Sequence, residues 1–350
     1  LFLSCVHAAL GSASVSVSHH DDRMLEPRII GGDPVLDAGR YPYFALIQGF
    51  DRFGERQAFT CGGTLIHPDI ILAAAACAND ETFIFRTFTN VTNFNDVNSP
   101  PKSVFVRDSK AIISHPDYFI GPLGDLYNDV LLIKLNAAIT EIEPLYLNSQ
   151  DRTPKAGGYA TAIGLGATDI GGTVPVTLQE VNLEVFDVDI CNRDPIINGT
   201  LAEEVHICAG SGGKSICFND FGGPVVEKGD FDNNGPSDDV LVGISSYTFC
   251  GELGLPSLFT RVSTFIDFIE DGICLLTAFP SRDCSNRSPI TVPPQQGGGG
   301  NNGGGNNGGN NGGGGMGGKG GGGKGGKGGK GGKGGSSHKG MSGMGHSKPS

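Results

Sequence analysis

The chain has 350 residues and a formal charge of −12, unevenly divided: from Ser288 onward there are seven lysines and no acid, so setting them aside leaves −19 on everything before. An acidic globule with a basic tail is the reverse of a nucleic-acid binder, whose folded domain is the basic part. No run beyond the first residues approaches the roughly 20 apolar residues that span a bilayer, and since more than half of the 58 glycines follow Gln296, the preceding residues keep an ordinary globular composition able to bury a sizeable core.

Leu1 to Leu10 is apolar and Gly11-Ser12-Ala13 supplies small residues of the kind a signal peptidase accepts. Residues 1–13 therefore read as a truncated secretory signal. Removing Cys5 with it leaves eight cysteines, an even number suited to an oxidising compartment. Asn90-Val91-Thr92 and Asn198-Gly199-Thr200 are glycosylation sequons, while Asn286-Arg287-Ser288 is weakened by Pro289. Residues 14–28 are polar, aperiodic and end in Arg28.

From Tyr41 to Thr260 short apolar runs alternate with turn residues: Tyr43 to Ile47, Ile70 to Leu72, Val104 to Val106, Val130 to Ile133, Val181 to Val185 and Val240 to Ile244. Many short strands at such spacings predict an antiparallel sandwich or barrel. Val262 to Gly272 is the one convincing helix, with Phe265, Ile269 and Ile273 every four residues and Ser263 or Thr264 as its expected cap. From Pro293 to Ser350 the chain is Gly/Asn-rich and then Gly-Gly-Lys-rich, with almost nothing to bury, so disorder is expected there.

Six motifs stand in order along the chain: Cys61-Gly62-Gly63-Thr64-Leu65-Ile66, Asn128-Asp129-Val130-Leu131-Leu132, Leu178-Gln179-Glu180-Val181, Gly212 to Pro224 with its Cys217-Phe218-Asn219-Asp220-Phe221-Gly222-Gly223-Pro224, Ser245-Ser246-Tyr247, and Pro256 to Val262. Together they resemble the chymotrypsin/trypsin family over roughly Ile29 to Cys274. The resemblance implies an all-β fold of two packed antiparallel six-stranded β-barrels with a C-terminal helix, occupying residues 29–275 and followed by a linker over 276–292. It also implies that Arg28-Ile29-Ile30-Gly31-Gly32 is an activation site preceded by a pro-segment, 14–28. Cleavage between Arg28 and Ile29 frees the Ile29 amine to pair with Asp220. The family's common disulfides fall on Cys61 with Cys77, Cys191 with Cys208, and Cys217 with Cys250. Cys274 and Cys284 remain and are expected to close a small loop, a connectivity that sequence alone does not establish.

The same resemblance shows what is missing. The triad positions are Ala76, Asp129 and Phe221, so a methyl group stands where the base belongs and a phenyl ring where the serine belongs. A Ser-His-Asp mechanism needs a nucleophile, a base and a carboxylate to orient the base, and a phenyl ring has no lone pair to donate. Asn219 replaces the oxyanion-loop glycine, and its side chain is expected to disfavour the backbone orientation that aims an N–H at developing charge. Asp129, left without an imidazole, must be hydrogen-bonded by neighbours such as Ser246 or become protonated. The primary pocket maps to Ser215 at its floor, with Ser246, Thr248 and Ser257 around it; side chains on its walls leave little room for a long residue.

No other group supplies the chemistry. His67 beside Pro68 and His115 in Ser114-His115-Pro116 read as turn and surface-loop residues, Ser215 as pocket floor, and Cys217 as a disulfide partner rather than a thiolate. Asp230-Phe231-Asp232-Asn233-Asn234-Gly235, with Asp238 and Asp239 behind, opens like a calcium loop but has Leu241 where a bidentate Glu belongs, so a polar hairpin turn is the reading. No metal or cofactor is expected. The expectation is a secreted, non-catalytic homologue that binds an extracellular protein (a protease, an inhibitor or a glycan hydrolase) as decoy, cofactor or inhibitor. Two alternatives remain open at this level: an endopeptidase of the same family using unrecognised residues, and a wall- or matrix-associated protein whose tail lysines bind an anionic polymer or simply stay solvated.

Overall fold

The computed structural model describes residues 29–277 and Cys284, except 52, 79–83, 122–123, 168–171, 211, 230–235 and 251–254. Residues 1–13, the segment 14–28 with Arg28, the calcium-like stretch 230–235, the linker beyond 277 apart from Cys284, and the tail 293–350 lie outside the described residues.

Twelve strands build two closed antiparallel rings of six. The first uses β1 (Phe44–Phe50), β2 (Arg56–His67), β3 (Ile70–Ala73), β4 (Ile84–Thr89), β5 (Phe105–Ser114) and β6 (Leu131–Leu135), in the order β1-β2-β3-β6-β5-β4. The second uses β7 (Tyr159–Gly164), β8 (Gln179–Phe186), β9 (His206–Gly210), β10 (Pro224–Glu227), β11 (Val240–Tyr247) and β12 (Ser257–Arg261), in the order β8-β7-β10-β11-β12-β9, closed by pairing of Val185 with Ala209. In β8 the residues alternate buried and less buried, as a strand with one face on a core requires. Shorter runs such as β3 and β6 are buried throughout. The expected fold class is therefore what forms.

The terminal helix departs from expectation at its start. Val262–Phe265 is a 3₁₀ turn, and the α-helix proper, α2, runs Ile266–Leu276. Neither expected residue caps it: Phe265 holds the cap position without a side-chain bond, and the Thr264 hydroxyl donates to the Glu204 carbonyl instead. The helix also runs four residues past its expected end at Gly272. Phe265 and Ile269 are buried in the first barrel's apolar cluster and Ile273 packs against it, so the periodicity read in the sequence is the docking face. A second short helix, α1 (Val188–Cys191), was not foreseen; Asp187 caps it by accepting from the Asp189 N–H. Four disulfides link Cys61–Cys77, Cys191–Cys208, Cys217–Cys250 and Cys274–Cys284.

The barrels are tied by a buried polar clamp. Arg40, just before β1, donates twice to Asp239, just before β11, at 2.5 and 2.8 Å, and the Tyr43 hydroxyl donates to the same carboxylate. Beside it Tyr41 donates to Glu180, which also receives Lys228 at 2.9 Å. Asp239 is thus spent on the fold and unavailable to the calcium-like stretch before it. Removing one partner of a buried pair strands the other. Asp239→Ala is therefore expected to cost about 3–5 kcal/mol of unfolding free energy in urea titration; a loss well under 1 kcal/mol would show that the clamp contributes nothing net.

Candidate functional site

The two barrels meet backbone to backbone at the motif loops. Gly62 in β2 donates its N–H to the Phe221 carbonyl at 2.8 Å, and a Cβ on Gly62 would stand 2.6 Å from the Gly223 Cα. Gly222, at φ 82°, donates to the Ser245 carbonyl, and a Cβ there would stand 2.5 Å from the Gly62 carbonyl oxygen. Glycine is required on both sides because any side chain would separate the barrels.

This contact fixes the backbone of Phe221, whose half-buried ring packs on the first barrel's core. Ala76 lies partly exposed in a 3₁₀ turn (Ala75–Cys77) after β3, anchored by the Cys61–Cys77 disulfide. Asp129 is fully buried. Its Oδ1 accepts the Ala76 N–H at 2.7 Å and its Oδ2 accepts the Ser246 hydroxyl at 2.6 Å. Burial raises its pKa to about 6, against the pull of Ser246 and of the Ala76 and Ala75 N–H groups. The expected Ser246 bond is present, and the carboxyl is also pushed toward its protonated form. Neither side chain, at Ala76 or at Phe221, carries a donor or acceptor that could complete a proton relay from Asp129.

Asn219 overturns one expectation. It sits at φ 71°, in the left-handed region, and its Oδ1 accepts the Thr60 N–H at 3.4 Å. Asparagine is among the few residues that enter this region at modest cost, so the loop keeps the left-handed turn that glycine would have given it. The type of residue at 219, rather than the mere presence of a side chain, was the signal.

Three of the expected pocket residues converge on the backbone of Ile216. The Ser215 and Thr248 hydroxyls both donate to the Ile216 carbonyl at 2.7 Å, and Ser257 Oγ accepts the Ile216 N–H at 3.2 Å. Thr248 also accepts the Cys250 N–H at 2.9 Å. Ser215, Thr248 and Ser257 are all buried, and each engages its hydroxyl with the backbone of Ile216.

The other candidates separate cleanly. His67 Nδ1 is held by Asp69, which also receives Lys134. His115 packs its ring on Phe265 and Phe268 of the terminal segment, and burial lowers its pKa. Cys217 is bonded to Cys250. Among the described residues no three His, Cys, Asp or Glu side chains group to hold a metal.

Ile29 is fully buried at φ 33° in the second barrel's cluster, which it shares with Ile216. Asp220 is buried too, accepting from Gly166 N–H at 2.8 Å and Cys217 N–H at 2.9 Å. A Cβ at Gly164 would lie 2.0 Å from its Oδ1 and one at Gly166 2.4 Å from its Cγ, so two glycines admit the carboxyl. Desolvation raises its pKa from 3.8 to about 7, only partly offset by these two N–H groups. A carboxyl whose folded pKa lies above its unfolded value binds its proton more tightly when folded. Its contribution is fully present below about pH 4 and lost as pH rises through about 7. The unfolding free energy of the uncleaved chain, minus that of Asp220→Asn, should accordingly fall by about 4 kcal/mol between pH 4 and pH 8. A flat difference across that window would mean that Asp220 stays ionised in the fold.

The sequence profile described as Trypsin matches residues 29–269. The chain is 31% identical to granzyme M of Homo sapiens over 269 residues, 75% of this chain and 93% of that one. It is 30% identical to kallikrein-1 of Mus musculus, covering 71% and 90%, and 29% identical to phenoloxidase-activating factor 3 of Holotrichia diomphalia, covering 70% and 72%. Among solved structures it superposes on "Structure of GrC" with a TM-score of 0.57 at 25% identity, covering 70% of this chain and 99% of that one.

Proposed function

The chain belongs to the trypsin family, and we propose that it is a secreted, non-catalytic member that works by binding another extracellular protein. One observation carries the reading. The groups that would move the proton and attack the carbonyl are replaced by Ala76 and Phe221, while Asp129 is bonded to Ser246 and to a backbone N–H. Nucleophilic acyl transfer needs both missing groups. The bonds of Thr248 and Ser257 to the Ile216 backbone support the same reading, since the resemblance places these side chains on the walls of a substrate pocket. Four disulfides support an oxidising, extracellular setting.

What remains is a rigid two-barrel surface, with a protease, an inhibitor or a glycan hydrolase as the partner. Used as bait in the producing organism's secretome, the full chain should enrich such a protein over a control of residues 293–350 alone. Enrichment of no protein over that control would defeat the reading.

The chemistry has its own test. The native protein, cleaved after Arg28, is expected to show neither peptidase activity nor labelling by a serine-reactive phosphonate. The double variant Ala76→His, Phe221→Ser should gain labelling, because Asp129 and the left-handed turn at Asn219 are already in place. Adding Asn219→Gly should change its rate only a few-fold, whereas adding Thr248→Gly and Ser257→Gly should widen the side chains it accepts. Labelling of the native protein would overturn the non-catalytic assignment.

A further inference from the structure

The two sequons within the described residues occupy opposite environments. Asn90 follows β4 at φ 64°, its N–H bonded to the Phe44 carbonyl at 3.0 Å. Its Nδ2 donates to the Ser103 carbonyl at 2.9 Å, and its Oδ1 is sealed from solvent. Val91 is fully buried, and the Thr92 carbonyl accepts the Leu178 N–H at 2.8 Å. The whole sequon is pinned between β1, the segment entering β5 and the segment entering β8. A sugar on Nδ2 replaces one of its two hydrogens, and at Asn90 the surface bond from Nδ2 to Ser103, with Oδ1 sealed behind it, holds that amide against the protein.

Asn198 is the reverse. It and Gly199 are exposed at φ 48° and 79°, and the Thr200 N–H closes the turn on the Ile197 carbonyl at 3.2 Å. Two successive left-handed residues mark a tight turn of the primed kind, for which Asn-Gly is the preferred pair. A Cβ on Gly199 would meet nothing within 4 Å, so the tip stands clear of the protein. Its base is firm: Asn198 N–H bonds to the Asp194 carbonyl at 2.7 Å, Cys191–Cys208 staples the preceding helix to β9, and the Thr200 carbonyl accepts the Tyr127 hydroxyl. The exposed Ile196 on the same loop gives a bulky, solubilising group apolar surface to cover.

We propose that Asn198 is the site of N-linked glycosylation in this domain and that Asn90, despite its sequon, carries no glycan. The inference rests on the secreted reading for its biological occurrence, so the experiment supplies a secretory leader and separates the two. The full chain is expressed behind that leader in a eukaryotic host, digested with peptide N-glycosidase F in heavy-oxygen water, and mapped by mass spectrometry. The heavy-oxygen Asn-to-Asp label is expected at Asn198 and not at Asn90. Thr200→Val should abolish the label at Asn198, and Thr92→Val should leave the glycan load of the Asn90 peptide unchanged at zero. Label at Asn90, or none at Asn198, overturns the assignment; the mapping of the unmutated chain decides it even if a variant misfolds. Retention of the untagged native chain in its own cells would count against secretion without touching this result.

Discussion

The structure depends on a place where two barrels touch through backbone alone. Gly62 on one side and Gly222 and Gly223 on the other approach so closely that a single Cβ would push them apart. The hydrogen bond from Gly62 to the Phe221 carbonyl crosses this seam. It holds the backbone of residue 221 by its carbonyl and its neighbours, so the seam does not depend on which side chain stands at that position. A serine hydroxyl contributes nothing to the seam, while a phenyl ring adds apolar contact with the first barrel's core.

The same logic gives two buried carboxylates a role in holding the fold. Asp129 joins the turn of Ala75–Cys77 in the first barrel to Ser246 at the end of β11 in the second. Removing it would leave a buried N–H and a hydroxyl unsatisfied, at a cost of about 1–3 kcal/mol each. Asp220 receives two backbone N–H groups from separate loops and sits in a niche that only glycines at 164 and 166 leave open. Both groups retain their bonding role independently of any reaction, so their presence says little about turnover. The proposed reading rests instead on positions 76 and 221, whose side chains carry no hydrogen-bonding group.

Most of the architecture was legible because its signals are local. Alternation in Val181 to Val185, the apolar run at Val130 to Ile133, and the four-residue repeat of Phe265, Ile269 and Ile273 each report the face a segment buries. What was not legible depends on contacts remote in sequence. The first turn of the terminal helix tightens and Thr264 turns to Glu204, 60 residues away, so a local capping rule chose the wrong partner. Asp239 looked like a member of an acidic loop but answers Arg40, 199 residues earlier. At the site, the identity of the replaced groups could be read directly. The left-handed backbone at Asn219 was legible only through that residue's tolerance for positive φ.

The residues around Ile216 bear on the proposed non-catalytic reading apart from positions 76 and 221. Ser215, Thr248 and Ser257 reach the backbone of this one residue, using both its carbonyl and its N–H, which belong to successive peptide units. With His at 76 and Ser at 221, the Ile216 N–H and carbonyl would still be bonded to these hydroxyls. Freeing the hydroxyls means breaking buried bonds, whose donors and acceptors would then need other partners. The side chains at 76 and 221 and the hydroxyls around Ile216 lie on different strands and loops and do not require each other, so each bears on the proposed non-catalytic reading independently.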